Sequence, residues 1–327
     1  MFFKRWNKKI PFILMCLVLG QSSFANNVNR FDHPGGFHTQ KQIENIRQRI
    51  IEKPENRAYK ALIDHAENFL SFVPHPMADY NAHYFYGKNK TPSPSKDKLS
   101  KDAFAAYTLA LAYQLDVSEK RASYADKAVE ILNAWATTNR KISGFDGNLT
   151  ACYCAPPMIL AAELLSDYEH WNQQDQNSFK KWISNTLLKS ANAIKHKKNN
   201  HGCWGLYTSL ACHHYLDDVM AFQKDTAILE KQIASLIDKK GEFPAENKRT
   251  NSGMWYTYFA LCPLTCSAHI ATNVTEKNYF NSSTPNGRSL KLALDSLFNY
   301  CKNPDSWSYE KPAGLKGFFY NIFTVIP

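Results

Sequence analysis

The sequence predicts an all-α protein, and three observations carry that prediction. Apolar residues recur at helical spacing in roughly ten segments between residues 39 and 300. Strand signals, meaning alternating β-branched and aromatic runs bounded by turn residues, are scarce. The breaks between segments are rich in proline, glycine and asparagine, which stop helices or turn the chain. The chain has 327 residues, 44% of them hydrophobic and 21% charged, so there is core material for a large domain. We expect one domain over residues 26–327.

Each segment has its own start and stop. Thr39 caps a helix that places Ile43, Ile46, Ile50 and Ile51 on one face, and Pro54 ends it. A second helix runs over about 58–72 before Pro74 and Pro76. Residues 74–100 then lose the helical period and hold Tyr80, Tyr84, Phe85 and Tyr86, followed by a lysine-, serine- and proline-rich run. A loop this long in a compact domain is functional or disordered, and its tyrosines argue for function: aromatic faces stack on sugar rings. We therefore read 74–100 as a lid, with Tyr80, Tyr84 and Tyr86 as candidate substrate contacts. Helices resume over 101–115 and from Ser118 through Trp135. Residues 144–148 form a turn-rich break. Pro156 and Pro157 open the next helix, as proline is tolerated in a first turn. Further helices are expected over 177–194, 207–215, 229–237, 253–271 and 289–300. Without a regular repeat a strict solenoid is unsupported, but periodicity does not choose between a bundle and a closed ring of hairpins. The polar loops recur after alternate helices, which in a ring would gather them at one end.

The net charge of +10 points to an anionic partner. Lys4, Arg5, Lys8 and Lys9 precede the apolar run 10–20, and Ser23-Phe24-Ala25 follows with small residues at the cleavage spacing. This is the layout of a signal peptide over residues 1–25, so a periplasmic or secreted protein is expected. Export removes nucleic acid from the partners. No later run is long and apolar enough for stable membrane insertion. An acidic polysaccharide remains, and a monomer is expected. Cys16 lies in the leader. The other seven cysteines, among them the pairs Cys152/Cys154 and Cys262/Cys266, lack zinc-site spacing and are expected as free thiols. The tail 317–327 is unusually apolar.

The stretch from Lys197 to Gly205 carries the densest chemistry. Asn199, Asn200, His201 and a flexible Gly202 stand together, with Trp204 beside them and the basic run 195–198, including Lys198, leading in. An apolar helix follows, so the cluster sits at a helix start, where free N–H groups favour anions. Amide, imidazole and cation together suit gripping a carboxylate and handling a proton. Trp204 and Lys198 are candidate substrate contacts. Farther on, Arg249 and Tyr256 are seven residues apart, able to share a helical face. A guanidinium near a phenol lowers its pKa from about 10, which suits Tyr256 to accept and return a proton. His213-His214 with Asp217-Asp218 lacks a third spaced ligand and reads as a solvated helix end, so no metal is assigned.

This combination resembles the alginate lyase family of helical-toroid polysaccharide lyases. The residues that carry the likeness are Asn200-His201 at a helix head, Arg249 and Tyr256 at their spacing, and the run from Tyr256 to Leu264. The segments 124–135 and 161–165 resemble that superfamily's scaffold. The resemblance implies an incomplete α/α toroid with a substrate groove at one end, and β-elimination at a 4-linked uronate with no cofactor. It implies that Asn200, Arg249 and His201 neutralise the carboxylate, and that Tyr256 removes H5 and protonates the leaving oxygen, His201 being the alternative base from the other face. A rival is a lyase for glucuronan or a glycosaminoglycan-like chain. A hydrolase would need paired acids, for which Asp146, Glu163 and Glu246 are available. A non-catalytic polysaccharide-binding protein would keep the basic groove alone.

Overall fold

A computed structural model of the chain describes residues 30–83 and 93–310. The expected signal peptide, Cys16, Tyr84, Tyr86 and the apolar tail lie outside the described residues.

The chain enters as an extended segment, 31–38, and turns into α1 (Gln40–Glu52), where Thr39 and Gln42 cap each other's backbone reciprocally. Ile43 and Ile50 bury, but Ile46 and Ile51, expected beside them, remain 39% and 59% exposed. Those two flank the Ile43–Ile50 stripe, by which α1 packs on α3. Asn56 caps α2 (Arg57–Phe69). Part of the expected lid is regular structure. Residues Asp79–Asn81 form β1, and α3 (Pro94–Leu115) begins well before residue 101, with proline in its first turn. After α4 (Arg121–Thr138), β2 (Lys141–Ser143) pairs with β1 in parallel. The turn-rich break then leads directly into a helix not expected from the sequence, α5 (Gly147–Cys154).

The remaining helices are α6 (Pro156–Leu164), α7 (Gln173–Trp182), α8 (Leu188–Ile194), α9 (Asn200–Tyr215), α10 (Val219–Leu236), the short α11 (Pro244–Asn247), α12 (Gly253–Thr275) and α13 (Leu290–Lys302). A π-turn over Ile183–Leu187 joins α7 to α8, which the sequence reads as one helix. Helices α3, α6, α9 and α12 form an inner row, each packed on the next. Helix α4 covers α3 and packs on α7, α8 and α10 cover α9, and α13 covers α12. The inner helices are apolar nearly all round, as enclosed helices must be. In α3, Ala103, Ala105, Ala106, Ala110 and Ala112 are all buried, and their small side chains let neighbours approach. Helices α9 and α12 run in the same direction: their first turns meet through α11, and their last turns meet through the segment 31–38. Among the described residues no helix is long and apolar enough to cross a membrane, and Cys152, Cys154, Cys203, Cys212, Cys262, Cys266 and Cys301 are free thiols.

Candidate active site

Two helix starts build the site. At the first, Asn199 caps α9 by accepting from the His201 N–H, and Asn200 and His201 are the first helical residues. Gly202 is needed here for close approach rather than for flexibility: a Cβ on it would stand 1.8 Å from the Lys197 carbonyl oxygen. The first turn of α9 is thereby pressed against the chain leaving α8. At the second start, Gly253 opens α12 with its backbone against Asn247, whose carbonyl oxygen would lie 2.2 Å from an added Cβ. The Asn247 side chain accepts from the Thr257 hydroxyl, which locks α11 to the first turn of α12.

A buried carboxylate joins the two starts. Glu246 is 2% exposed. Its Oε1 accepts from the Asn200 N–H at 2.7 Å and from Asn200 Nδ2 at 2.9 Å. Its Oε2 accepts from Arg249 Nη1 at 3.3 Å. The Arg249 guanidinium in turn lies over the Tyr256 ring, with Cζ 3.6 Å from the centroid, a cation–π contact on the ring face. Asn200, Arg249 and Tyr256 therefore form one chain of contacts, and His201, next to Asn200, lies within electrostatic reach of Arg249 and Lys197. Burial first, and then the charges of Lys197 and Arg249, lower the His201 pKa, so its imidazole is neutral at neutral pH. Arg249 keeps 41% of its side chain exposed and Tyr256 is half-buried, so both face an opening from which an anionic ligand can approach. Thr250, just after Arg249, has φ 48°, a left-handed conformation rare for a β-branched residue. The turn it makes sets the direction in which Arg249 leaves the backbone.

An aromatic wall continues from Tyr256. Trp255 packs edge-on to Tyr256 and stacks on Phe259 at 4.7 Å. Phe259 meets Trp204 at 5.2 Å, and Trp204 meets Tyr153 of α5 at 5.7 Å. Trp204 is thus part of this wall, and its Nε1 is buried without a partner. Trp255, Phe259 and Tyr153 were missed by the sequence reading. For the first two, the aromatic-dense run 255–259 beside Tyr256 was the available signal. Glu246 was also missed in this role. It had been weighed only as an acid for hydrolysis, and nothing in its local sequence says that it reaches back to Asn200.

Two expectations are corrected. Tyr80 is not a substrate contact: it is 1% exposed and its hydroxyl donates to Thr150 Oγ1 at 2.9 Å. Alternation in the short β1 turns Tyr80 inward while Asp79 and Asn81 point out. The basic run divides between surface and interior. Lys197 and Lys198 are exposed, but Lys195 is buried, with Nζ 2.8 Å from Asp225. His213 and His214 are not a solvated helix end. His213 Nδ1 lies 2.8 Å from Asp225, and His214 is 1% exposed beside Glu163. The two glutamates available for paired-acid hydrolysis are both held internally: Glu246 by Asn200 and Arg249, and Glu163 by the Gly35 and Gly36 N–H groups at 2.8 and 2.7 Å.

The family model described as alginate lyase matches residues 52–307 of the chain. The chain belongs to the alginate lyase family. Members are polysaccharide lyases, and this chain is accordingly one. None of the curated proteins compared matches it. Among solved structures it is similar to an alginate lyase from Bacteroides ovatus, with a TM-score of 0.74 and 21% identity over 90% of this chain and 92% of that one. It is also similar to alginate lyase A1-III, known from Sphingomonas species A1. A variant of that enzyme in complex with a tetrasaccharide gives a TM-score of 0.70 and 17% identity over 86% of this chain and 84% of that one. These likenesses establish the fold: the inner row and its covering helices are an α/α toroid.

Proposed function

We propose that this family member cleaves alginate, a 4-linked uronate polymer, by β-elimination at the Glu246-linked site. The observation that carries the reading is the continuous contact from Asn200 through Glu246 and Arg249 to Tyr256, which holds a partly exposed cation and phenol beside a buried amide. The C5 proton is a poor acid while the neighbouring carboxylate is fully charged. Hydrogen bonds from the Asn200 amide and the Arg249 guanidinium to that carboxylate stabilise the charge that develops on it as the proton leaves. His201, neutral because of burial and its cationic neighbours, is able to donate one hydrogen bond to the carboxylate, or to accept a proton from the opposite face. Tyr256 takes H5 and delivers a proton to O4 of the leaving sugar, so the elimination returns the enzyme to its starting protonation state. Glu246 does not touch substrate in this scheme. It orients Asn200 and Arg249, and its charge keeps the guanidinium from being a fully uncompensated cation when the groove is empty.

The aromatic wall from Trp255 to Trp204 supports saccharide binding, since sugar faces stack on such surfaces. The exposed Lys197 and Lys198 suit the polymer's neighbouring carboxylates. The A1-III variant bound to a tetrasaccharide is consistent with an oligomeric ligand in a fold of this kind. The order of residues 1–25 supports export to the periplasm or beyond, which N-terminal sequencing of the purified protein checks: a mature start at Asn26 is expected. The test of function is a panel of polymannuronate, polyguluronate, glucuronan and hyaluronan, followed by ultraviolet absorbance of the unsaturated uronate that a lyase creates. Alginate-derived polymers should give the fastest rise. A rise on glucuronan alone moves the substrate, and no rise on any polymer leaves only a binding protein.

A further inference from the structure

At the far end of α9, about 20 Å from His201 at 1.5 Å of rise per residue, three side chains converge that the elimination does not use. His33 comes from the entering segment, Glu163 from α6 and His214 from the last turn of α9. One ligand atom from each lies within 4.8 Å of the other two. His214 Nδ1 stands 3.3 Å from Glu163 Oε1, and His33 Nδ1 stands 3.8 Å from the same oxygen. The three side chains are 8%, 5% and 2% exposed for His33, Glu163 and His214. Both Nδ1 atoms are buried and neither makes a hydrogen bond. Two orphaned imidazole nitrogens beside a buried carboxylate are costly as they stand.

We propose that His33, Glu163 and His214 bind a divalent cation of the zinc class, with His33 Nδ1, His214 Nδ1 and a Glu163 oxygen as ligands. Two imidazoles and one carboxylate form a donor set that suits zinc, which takes such ligands at about 2.0–2.2 Å and completes its tetrahedron with water. For a tetrahedral ion those bond lengths separate ligand atoms by about 3.4 Å, close to the 3.3 and 3.8 Å from the two imidazoles to Glu163 Oε1. The outer groups are in place too. His33 Nε2 lies 3.1 Å from Asp217 Oδ1, the carboxylate–imidazole arrangement that fixes a metal-bound ring and leaves Nδ1 as the ligand. The Gly35 and Gly36 N–H groups hold Glu163 Oε1. The Phe31 ring stacks on His214 at 4.8 Å and shields it from water. A cleft lined by Asp32, His33, Pro34, Thr39, Gln40, Lys41 and Asp167 reaches the cluster at His33. The ion would be structural. It would pin the entering segment to α6 and α9, in the region where that segment also meets α12 through Gly36, Phe37, His269 and Asn273.

The test uses the full-length protein, stripped with a chelator and then titrated with Zn²⁺ and, as a spectroscopic probe, Co²⁺. One equivalent should bind, the melting temperature should rise with it, and Co²⁺ should give the strong visible bands of a tetrahedral site. Proton spectra of the Co²⁺ form should show a hyperfine-shifted imidazole N–H from His33. That readout needs no variant, so it stands if a ligand variant fails to fold. His33→Gln and His214→Gln should abolish stoichiometric uptake. Asp217→Asn, which keeps an oxygen for the Phe31 N–H but removes the charge facing His33 and Arg30, should weaken it by about 10–100-fold. The double variant Cys262→Ser/Cys266→Ser, which removes the other close pair of soft ligands, should bind as the parent does. Unchanged melting with no uptake by the stripped parent protein overturns the proposal. So does uptake that survives both histidine variants or disappears with the cysteines. None of these readouts depends on lyase activity, so failure here leaves the proposed reaction untouched, and the reverse holds as well.

Discussion

Two buried glutamates sit at opposite ends of α9, and each gathers backbone N–H groups and cationic or imidazole side chains. Glu246 at the first turn holds the Asn200 N–H and Arg249, while Glu163 at the last turn holds the Gly35 and Gly36 N–H groups beside two histidines. The same device gives opposite results because the openings differ. At the first end the cation keeps 41% of its surface exposed and lies on a half-buried phenol, so a ligand can share it. At the other end every group is at most 8% exposed apart from Asp217, and the carboxylate serves the protein alone. A buried acid therefore marks reactive chemistry only where its partners also face solvent.

The sharpest way to break that comparison is at the open end. Tyr256→Phe removes one hydroxyl and almost no volume, and leaves the ring on which Arg249 rests. Turnover on alginate should fall by at least about a hundredfold, the scale of a general acid–base contribution, with substrate binding nearly unchanged. Steady-state kinetics with an independent binding measurement checks this. Near-normal turnover from the folded variant would move the acid–base role to another residue.

Truncating each glutamate then separates function from stability. Glu163→Ala leaves the Gly35 and Gly36 N–H groups without their acceptor and removes the carboxylate charge beside two buried histidines. It should cost about 3–5 kcal/mol, the scale for stripping one partner from a buried charged cluster, while the surviving folded enzyme keeps its turnover. Glu246→Ala should cost less, about 1–3 kcal/mol, because water can reach Arg249, but it should lower activity strongly by releasing Asn200 and Arg249. Chemical denaturation and kinetics on both variants give the two pairs of numbers. Equal stability losses with equal activity losses would erase the distinction between the ends.

These contrasts show where sequence reading succeeds and where it stops. The helices were legible because their apolar period and stop signals are local, but α9 begins at Asn200, seven residues before the expected 207, because its polar first turns carry no apolar period. The convergence of Asn200, Arg249 and Tyr256 was legible only as a resemblance, since the bond that makes it, through Glu246, spans 46 residues. Gly202 read as flexibility, because a glycine looks the same whether it frees the backbone or admits a neighbour. His33 and His214 are far apart in the chain and fit no spacing motif, so their meeting was invisible. Tyr80 misled because aromatic content in a region without helical period does not reveal which way a strand residue points.

Acid titration offers a smaller effect with opposite signs at the two ends. Burial lowers the His201 pKa, and Lys197 and Arg249 lower it further. The unfolded chain therefore takes up this proton first, and stability is lost as pH falls below about 6.5. Burial also opposes protonation of His33, but the charges of Glu163 and Asp217 and the contact of its Nε2 with Asp217 together raise its pKa. Its contribution is full below about 6.5 and is lost as pH rises through the higher folded value. In metal-free buffer, the stability gap between parent and His33→Gln should therefore shrink as pH rises above neutrality. The gap between parent and His201→Gln should instead shift in the parent's favour as pH rises toward 6.5 and then level off. Denaturant midpoints across that range check both, and slopes of the same sign would contradict the assigned environments.

The smallest expected effect tests how Arg249 is aimed. Thr250 at φ 48° stores strain, of the order of 1–2 kcal/mol for a residue with a Cβ in that region. Thr250→Gly relieves it, but glycine also loosens the unfolded chain, by roughly 0.5–1 kcal/mol, so net stability should change by less than about 1 kcal/mol. The turn is also freer, and Arg249 no longer leaves the backbone in one fixed direction. Because Arg249 grips the resting carboxylate and also stabilises the charge developing on it, its loosening should raise KM and lower kcat, each by a few-fold. A fall in kcat with KM constant would instead place the strained turn in the service of the transition state, and Arg249 would then act on the developing charge more than on the resting carboxylate.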